Sequence, residues 1–147
     1  MPTVRLAASS DRAQIEDVVR AAYSGYIPRI GREPGPMLDD YASLIDQRQV
    51  YALEDGGIVG VLVLVPEPAT MLLDNIAIAP WAQGRGYGRL LLDFAEHEAR
   101  RRGYQTIRLY THALMTENLA LYSRLGYVET HRGEEKGFPR VYMAKRL

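Results

Sequence analysis

The stretch Asp74–Leu91, which reads DNIAIAPWAQGRGYGRLL, decides the fold of this chain. Its apolar residues up to Ile78 predict a buried strand. The glycines at Gly84, Gly86 and Gly88 predict a turn, because glycine is the residue that most often interrupts regular structure. Apolar residues recur at helical spacing after that turn, so a long helix is predicted to begin near Gly86. The order is therefore strand, glycine-rich turn and helix.

This glycine-rich turn has the chemistry of an anion-binding site. Glycine reaches positive φ and lets a ligand approach the backbone closely. The first N–H groups of a helix have no partner within it, and the helix dipole adds about half a positive charge there. A phosphate or pyrophosphate fits such an end, and Arg85 and Arg89 can add charge-assisted hydrogen bonds. The spacing G-x-G-x-G matches neither a Walker A loop nor a dinucleotide-binding fingerprint, so both nucleotide-binding alternatives are disfavoured.

The composition fits one ordinary folded domain, predicted to comprise residues 1–147. The 18 Lys and Arg balance the 18 Asp and Glu, so we expect neither nucleic acid nor an anionic membrane as a partner. The chain has no cysteine, which excludes a disulfide framework, a thiolate nucleophile and a cysteine metal site. The sequence shows no signal peptide and no apolar run long enough to span a membrane. We therefore expect a soluble, cytoplasmic protein.

Hydrophobic patterns elsewhere complete an α/β domain with a mixed sheet. The chain starts with a strand at Thr3–Ala7 and a helix around Ile15–Ala22. A loop is predicted over Gly25–Pro36, and a second helix from Pro36 to about Ile45. The other predicted strands are Val50–Glu54, Ile58–Val65, Met71–Ile78, Thr106–Thr111, Tyr127–His131 and Val141–Lys145, and the other predicted helices are Gly86–Arg102 and Thr116–Leu125. The predicted order is β-α-α-β-β-β-α-β-α-β-β.

The motif Gln83-x-x-Gly86-x-Gly88 resembles the pyrophosphate motif of the GCN5-related N-acetyltransferase (GNAT) family. The preceding Ile76-Ala77-Ile78-x-Pro80 and the later segment Asn118–Tyr127 are similar to the same family, and element order and length also agree. The resemblance implies a GNAT-type fold, with a mixed, mostly antiparallel central sheet flanked by helices. It also implies acetyl-CoA as cosubstrate and direct acetyl transfer to a primary amine of a small molecule, peptide or protein, with no metal.

The resemblance also implies where acetyl-CoA binds. The strand backbone would bond the pantetheine arm, and the sheet would open between Met71–Ile78 and Thr106–Thr111 to admit it. The residues implied to contact this cosubstrate are Ile76, Ala77, Ile78, Gln83, Gly84, Arg85, Gly86, Tyr87, Gly88, Arg89, Asn118 and Tyr122. Many members place a cofactor-binding asparagine seven residues before the tyrosine, where this chain has Met115. Asn118 therefore either reaches the cosubstrate or only caps its helix.

Two residues are implied to be catalytic. A tyrosine of the second motif commonly protonates the leaving thiolate in this family, and Tyr122 is the matching residue. A phenol with a pKa of about 10 is a suitable acid for a thiolate of similar pKa; the alternative is a tyrosine that only packs. Asp74 is the implied base, or else a carboxylate that orders the nearby backbone. His112 is a further candidate base.

The acceptor is implied to bind beside the loop that follows the first helix. The residues implied to contact it are Tyr26, Arg29, Arg32, Met37 and Tyr41. Two arginines beside aromatic rings can recognise a carboxylate or phosphate on the acceptor, whereas a floor of Tyr and Met would suit a hydrophobic amine. The alternative to an enzyme is a non-catalytic module that senses CoA or acetyl-CoA. The sequence does not fix the oligomeric state; the resemblance allows a homodimer, and symmetric pairs are the commonest oligomers.

Overall fold

The computed structural model describes all 147 residues, and seven strands form one sheet. The strands are β1 (Thr3–Leu6), β2 (Val50–Glu54), β3 (Ile58–Pro66), β4 (Met71–Ile78), β5 (Thr106–His112), β6 (Val128–Glu135) and β7 (Phe138–Arg146). The helices are α1 (Arg12–Tyr23), α2 (Ile27–Ile30), α3 (Tyr41–Asp46), α4 (Tyr87–Arg101) and α5 (Thr116–Arg124). The predicted order is therefore confirmed, with the short helix α2 added to it.

The sheet is mixed and mostly antiparallel, as the resemblance implies. Its strand order is β1-β2-β3-β4-β5-β7-β6, and only β4 and β5 pair in parallel. The core is densest around β3, where every residue from Ile58 to Leu64 is buried. Successive side chains of a strand point to opposite faces, so both faces of β3 are covered. Helices α1 and α4 both pack on β3 and β4. None of the helices is long and apolar enough to cross a membrane.

The centre of the sheet opens between β4 and β5. These strands pair only where Met71–Leu73 lies beside Ile107–Leu109. The next residue, Asp74, is a bulge, because its neighbours Leu73 and Asn75 oppose successive residues of β3. A bulge bends its strand and increases the local twist. Beyond it β4 no longer pairs with β5, and a gap opens.

The region between α1 and β2 differs from the sequence prediction. The predicted loop contains α2, since Pro28 lies in the first turn, where a proline costs a helix no hydrogen bond. The predicted helix from Pro36 is interrupted, because the backbone of Asp39 is extended. Asp40 starts α3 by accepting a hydrogen bond from the Ser43 N–H at 3.2 Å, which is the usual role of an aspartate at an N-cap.

The last two strands are longer than predicted. They form a hairpin that turns at Lys136 and Gly137, both of which have positive φ, as a two-residue hairpin turn requires. Every residue of β6 is exposed. It therefore lacks the alternation of buried and exposed positions by which a strand is recognised.

Candidate active site

Two clefts meet at the gap between β4 and β5. The first, which we call the α4 cleft, has a volume of about 900 Å³ and lies between the Ile76–Ile78 segment and the turn before α4. The second, the β5 cleft, has a volume of about 550 Å³ and is lined by β5, Asp74 and α5. Residues that line both clefts mark their junction: Tyr23, Ile76, Asn118 and Tyr122.

The turn before α4 forms a cradle of backbone N–H groups. Gly84 and Gly86 have φ values of +81° and +80°, and a Cβ on either would meet no atom within 4 Å. No side chain caps the helix, and its first hydrogen bond runs from the Leu90 N–H to the Gly86 carbonyl oxygen at 3.0 Å. The preceding amides, including those of Tyr87 and Gly88, thus have no partner within the helix. This end of the α4 cleft suits an anion.

The two arginine side chains of this region lie outside the α4 cleft, whereas Tyr87 is one of the residues that line it. The Tyr87 side chain is buried, and its hydroxyl donates a hydrogen bond to the Asp55 carboxylate. Arg89 pairs with Asp93 at 3.6 Å on the exposed face of α4, and Arg85 is exposed. Neither arginine lines the cleft. The anion site therefore consists of backbone more than of arginine side chains.

The β4 backbone supplies donors along the α4 cleft. The Ala79 N–H donates to the Val59 carbonyl oxygen at 2.8 Å. This bond shows which residues of β4 point their N–H and C=O groups towards β3. Bonded positions alternate along an antiparallel ladder, so Ala77 also bonds β3. The N–H and C=O groups of Ile76 and Ile78 point the other way, into the gap.

A buried polar network holds this part of β4. The Tyr23 hydroxyl lies 2.6 Å from the Asn75 Oδ1 and 2.9 Å from the Ile76 carbonyl oxygen. The Asn75 amide donates to the Tyr41 hydroxyl at 3.0 Å, which in turn donates to the Pro36 carbonyl oxygen at 2.6 Å. The network ties α1, β4 and α3 together. It also occupies the Ile76 carbonyl and leaves the Ile76 N–H as the group facing the gap.

Replacing Asn75 with alanine should lower the free energy of unfolding by about 1–3 kcal/mol, because two buried tyrosine hydroxyls each lose a hydrogen-bond partner. Urea denaturation followed by circular dichroism measures the change. Asn118→Ala is the control: its amide is only partly buried and meets no oxygen, only the Met115 sulfur at 3.6 Å. Equal stabilities for Asn75→Ala and the unmodified chain would contradict a stabilising role for the network.

Tyr122 places a free hydroxyl at the junction of the clefts. Its side chain is 6% exposed and packs edge-on against the ring of Tyr127. The hydroxyl makes no hydrogen bond to the protein, and no fully buried side-chain oxygen lacks a partner. The hydroxyl must therefore reach the cleft space. Burial raises the pKa of Tyr122 above its usual value, so the group holds its proton at neutral pH.

Asp74 and His112 both line the β5 cleft, but they offer it opposite hydrogen-bonding groups. The Asp74 carboxylate accepts a hydrogen bond from the Tyr110 hydroxyl at 2.5 Å. The His112 Nδ1 accepts the Leu114 N–H at 3.0 Å, and burial together with Arg140 lowers the pKa of His112. A neutral imidazole that accepts at Nδ1 carries its proton on Nε2. His112 therefore offers a donor to the cleft, whereas Asp74 offers an acceptor.

The five residues implied for the acceptor do not form one site. Tyr26 lines the α4 cleft, and Arg29 binds Glu117 of α5 at 2.6 Å. Met37 and Tyr41 both line a separate cavity beside α1, and the Tyr41 hydroxyl belongs to the buried network. Arg32 alone lies beside the β5 cleft, with its guanidinium 4.0 Å above the ring of Phe138.

Several residues of the β5 cleft were not predicted from the sequence, namely Tyr23, Asn75, Tyr110 and Arg140. None of them belongs to a recognisable motif. Arg140 lies with its guanidinium 3.9 Å above the ring of Tyr110 and is paired with Glu135 at 3.0 Å. The alternation of β5, which puts Tyr110 and His112 on one face, is the only sequence signal that points to any of them. No group of three or more His, Asp or Glu side chains is placed to hold a metal ion.

A strand, a backbone anion cradle and an opened sheet are also the features of a known family. The model of the acetyltransferase (GNAT) family matches residues 14–127. The chain belongs to the GNAT acetyltransferase family. A GNAT fold is also found in the PaiA N-acetyltransferase from Thermoplasma acidophilum in complex with coenzyme A, with a TM-score of 0.83 and 15% identity over 100% of this chain and 99% of that one.

Two further relatives carry acetyltransferase names. The ribosomal-protein-S18-alanine N-acetyltransferase from Escherichia coli has a TM-score of 0.80 and 22% identity, covering 99% of this GNAT domain and 94% of that chain. N-alpha-acetyltransferase 80 of Mus musculus is 34% identical over 64 residues, which are 44% of this chain and 19% of that protein. The GNAT chain thus matches about a fifth of the length of that curated relative.

Proposed function

We propose that this GNAT domain is an N-acetyltransferase that binds acetyl-CoA in the α4 cleft and transfers the acetyl group to an amine in the β5 cleft. The observation that carries the proposal is the Tyr122 hydroxyl, which is protonated, free of protein partners and located where the two clefts meet. A proton donor is needed at that point, because the leaving group of a thioester is a thiolate.

The α4 cleft suits a coenzyme A thioester along its whole length. The amides of the turn before α4 fit the pyrophosphate, and the inward-facing backbone groups of Ile76 and Ile78 fit the amide groups of the pantetheine arm. The same N–H groups can stabilise negative charge that develops on the thioester oxygen. Family membership and the coenzyme A named for the Thermoplasma acidophilum structure support this ligand.

The proposed transfer is a single displacement in which the nitrogen loses two protons and the sulfur gains one. An ammonium acceptor first loses a proton, because only a neutral amine carries the lone pair that attacks the thioester carbon. The C–N bond forms and the C–S bond breaks, and Tyr122 protonates the departing thiolate. The nitrogen gives up its second proton. One of the two protons from the nitrogen restores the Tyr122 hydroxyl, directly or through solvent, so that overall one proton is released. The chain has no cysteine, which favours direct transfer to the amine over a cysteine acyl-enzyme.

Asp74 is the group we propose to accept the proton from the amine. It lines the β5 cleft as a hydrogen-bond acceptor, and the Tyr110 hydroxyl fixes its orientation. His112 is the weaker candidate, because its free ring nitrogen carries a proton in the neutral form. Either role can be direct or can pass through a water molecule.

A panel of primary amines with acetyl-CoA, followed by release of free thiol, tests the proposed function. We expect thiol release that depends on both the amine and the protein. Acetyl-CoA at 100 times its dissociation constant should also stabilise the fold by about 2.7 kcal/mol. Thermal stabilisation without thiol release from any amine would indicate the sensor alternative. Absence of both would contradict the proposed function altogether.

A further inference from the structure

A charged pocket extends the β5 cleft away from Tyr122. We call it the Asp39 pocket; its volume is about 640 Å³, and it shares Asp74, Tyr110 and Arg140 with the β5 cleft. It adds three charged side chains that the β5 cleft lacks: Arg32, Asp39 and Lys136. An acceptor whose amine reaches Asp74 from this side therefore passes these three groups.

The acidic side of the pocket has a carboxylate without an ion-pair partner. Asp39 is half-buried and forms neither a hydrogen bond nor an ion pair. Burial and the nearby charge of Asp74 raise the pKa of Asp39 to about 6, against the opposing effect of the Lys136 and Arg140 charges. Two carboxylates held close together in a partly desolvated place favour the binding of a cation between them. A protonated amine supplies that charge, and it would arrive beside the group proposed to deprotonate it.

The basic side of the pocket also has charged side chains without an ion-pair partner. Arg32 stacks on Phe138 but pairs with no carboxylate, and Lys136 at the β6–β7 turn also forms no ion pair. Arg140, by contrast, is already paired with Glu135. The pocket thus contains free charges of both signs, and its carboxylates and cations are too far apart to form an ion pair with each other.

We infer that the acceptor is a small zwitterionic amine, a primary amine that also carries an anionic group such as a carboxylate. This inference rests on the proposed function and names the substrate class of the same site. The ammonium lies between Asp39 and Asp74, which also lines the β5 cleft, and the anionic group lies against Arg32 and Lys136. The contact with the Phe138 ring holds the Arg32 guanidinium at the pocket, and a guanidinium offers paired N–H donors that suit a carboxylate or phosphonate.

Matched amines test the inference. We expect 4-aminobutanoate and 6-aminohexanoate to bind at least tenfold more tightly than butylamine and hexylamine, in calorimetric titrations with CoA present. Each aminocarboxylate should also have a higher kcat/KM than its matched alkylamine. Replacing the carboxylate with a phosphonate, as in 3-aminopropylphosphonate, shows whether the anionic site accepts both groups. Equal binding of zwitterions and plain alkylamines would overturn the inference.

Substitutions on each side of the pocket test which residues cause the preference for aminocarboxylates. Arg32→Gln should raise KM at least tenfold for aminocarboxylates and leave it unchanged for alkylamines, whereas Asp39→Asn should raise KM for both classes. Arg132→Gln, an arginine on β6 that is paired with Glu129 and lines none of these cavities, is the control and should keep the preference. A preference that survives Arg32→Gln unchanged would overturn the inference. Zwitterion binding without thiol release would instead contradict only the proposed function.

Discussion

Replacement of Tyr122 with phenylalanine should lower kcat by about 10²–10⁴-fold, which is the range expected when a positioned general acid is removed. The dissociation constant for CoA should change by less than about threefold, since the ring that lines both clefts is retained. Steady-state thiol release and calorimetry with CoA measure the two quantities. Because burial raises the pKa of Tyr122, the rate of the unmodified enzyme should not fall through loss of this proton below about pH 9.

The fold of this variant should be intact, for a reason specific to this position. The Tyr122 hydroxyl has no partner within the protein, so its removal leaves no buried group unsatisfied. Tyr104→Phe is the matched control: it removes a hydroxyl that donates to the Glu67 carbonyl oxygen, away from both clefts. That control should lose stability and keep its activity. If Tyr122→Phe and the unmodified enzyme had the same kcat, Tyr122 would have no part in the proton transfer.

The second large effect is expected at Gly86, and the two ends of α4 provide its control. Gly86 and Gly103 flank this helix, have φ values of +80° and +87°, and face open space. Alanine at either position should cost about 1–2 kcal/mol, because an L side chain disfavours the left-handed region. Of these two glycines, Gly86 lines the α4 cleft and Gly103 does not. Gly86→Ala should therefore also weaken CoA binding at least tenfold.

Thermal denaturation with and without CoA separates these effects. For a chain of this length, stabilisation by about 2.7 kcal/mol corresponds to roughly 5–11 °C. We expect that shift in the unmodified protein and in Gly103→Ala, and a much smaller one in Gly86→Ala. A full shift in both variants would place the anion site elsewhere. The loss of a shift in both would mean that stability, not ligand contact, controls binding.

The strand, turn and helix of Asp74–Leu91 could be predicted because local sequence determines each of them. Apolar alternation, closely spaced glycines and helical spacing act over a few residues. The same holds for α5 and the Asn118–Tyr127 segment. The predicted boundaries of β4 agree with the observed ones, and those of α4 and α5 differ by one residue. The backbone part of the anion site therefore followed from the sequence.

The acceptor side could not be predicted, because tertiary contacts determine it. The extended Asp39 interrupts an apolar pattern that continues from Met37 to Ile45, so helical spacing alone predicts one helix there. Tyr41 has the appearance of a binding residue in the sequence, yet its hydroxyl is buried on Asn75. The Asp39 pocket is formed by residues from four separate segments of the chain. No sequence pattern indicates that these segments lie close together.

The opening between β4 and β5 means that a bound cosubstrate would connect the two halves of the sheet. Only Met71–Leu73 connects the β1–β4 half of the sheet to the β5–β7 half by strand pairing. Under the proposed function, the pantetheine arm would form hydrogen bonds with the Ile76–Ile78 backbone, where β4 does not pair with β5. Occupancy would then stiffen the joint between two half-sheets, and product release would loosen it. The ligand would be part of the architecture for as long as it stays bound.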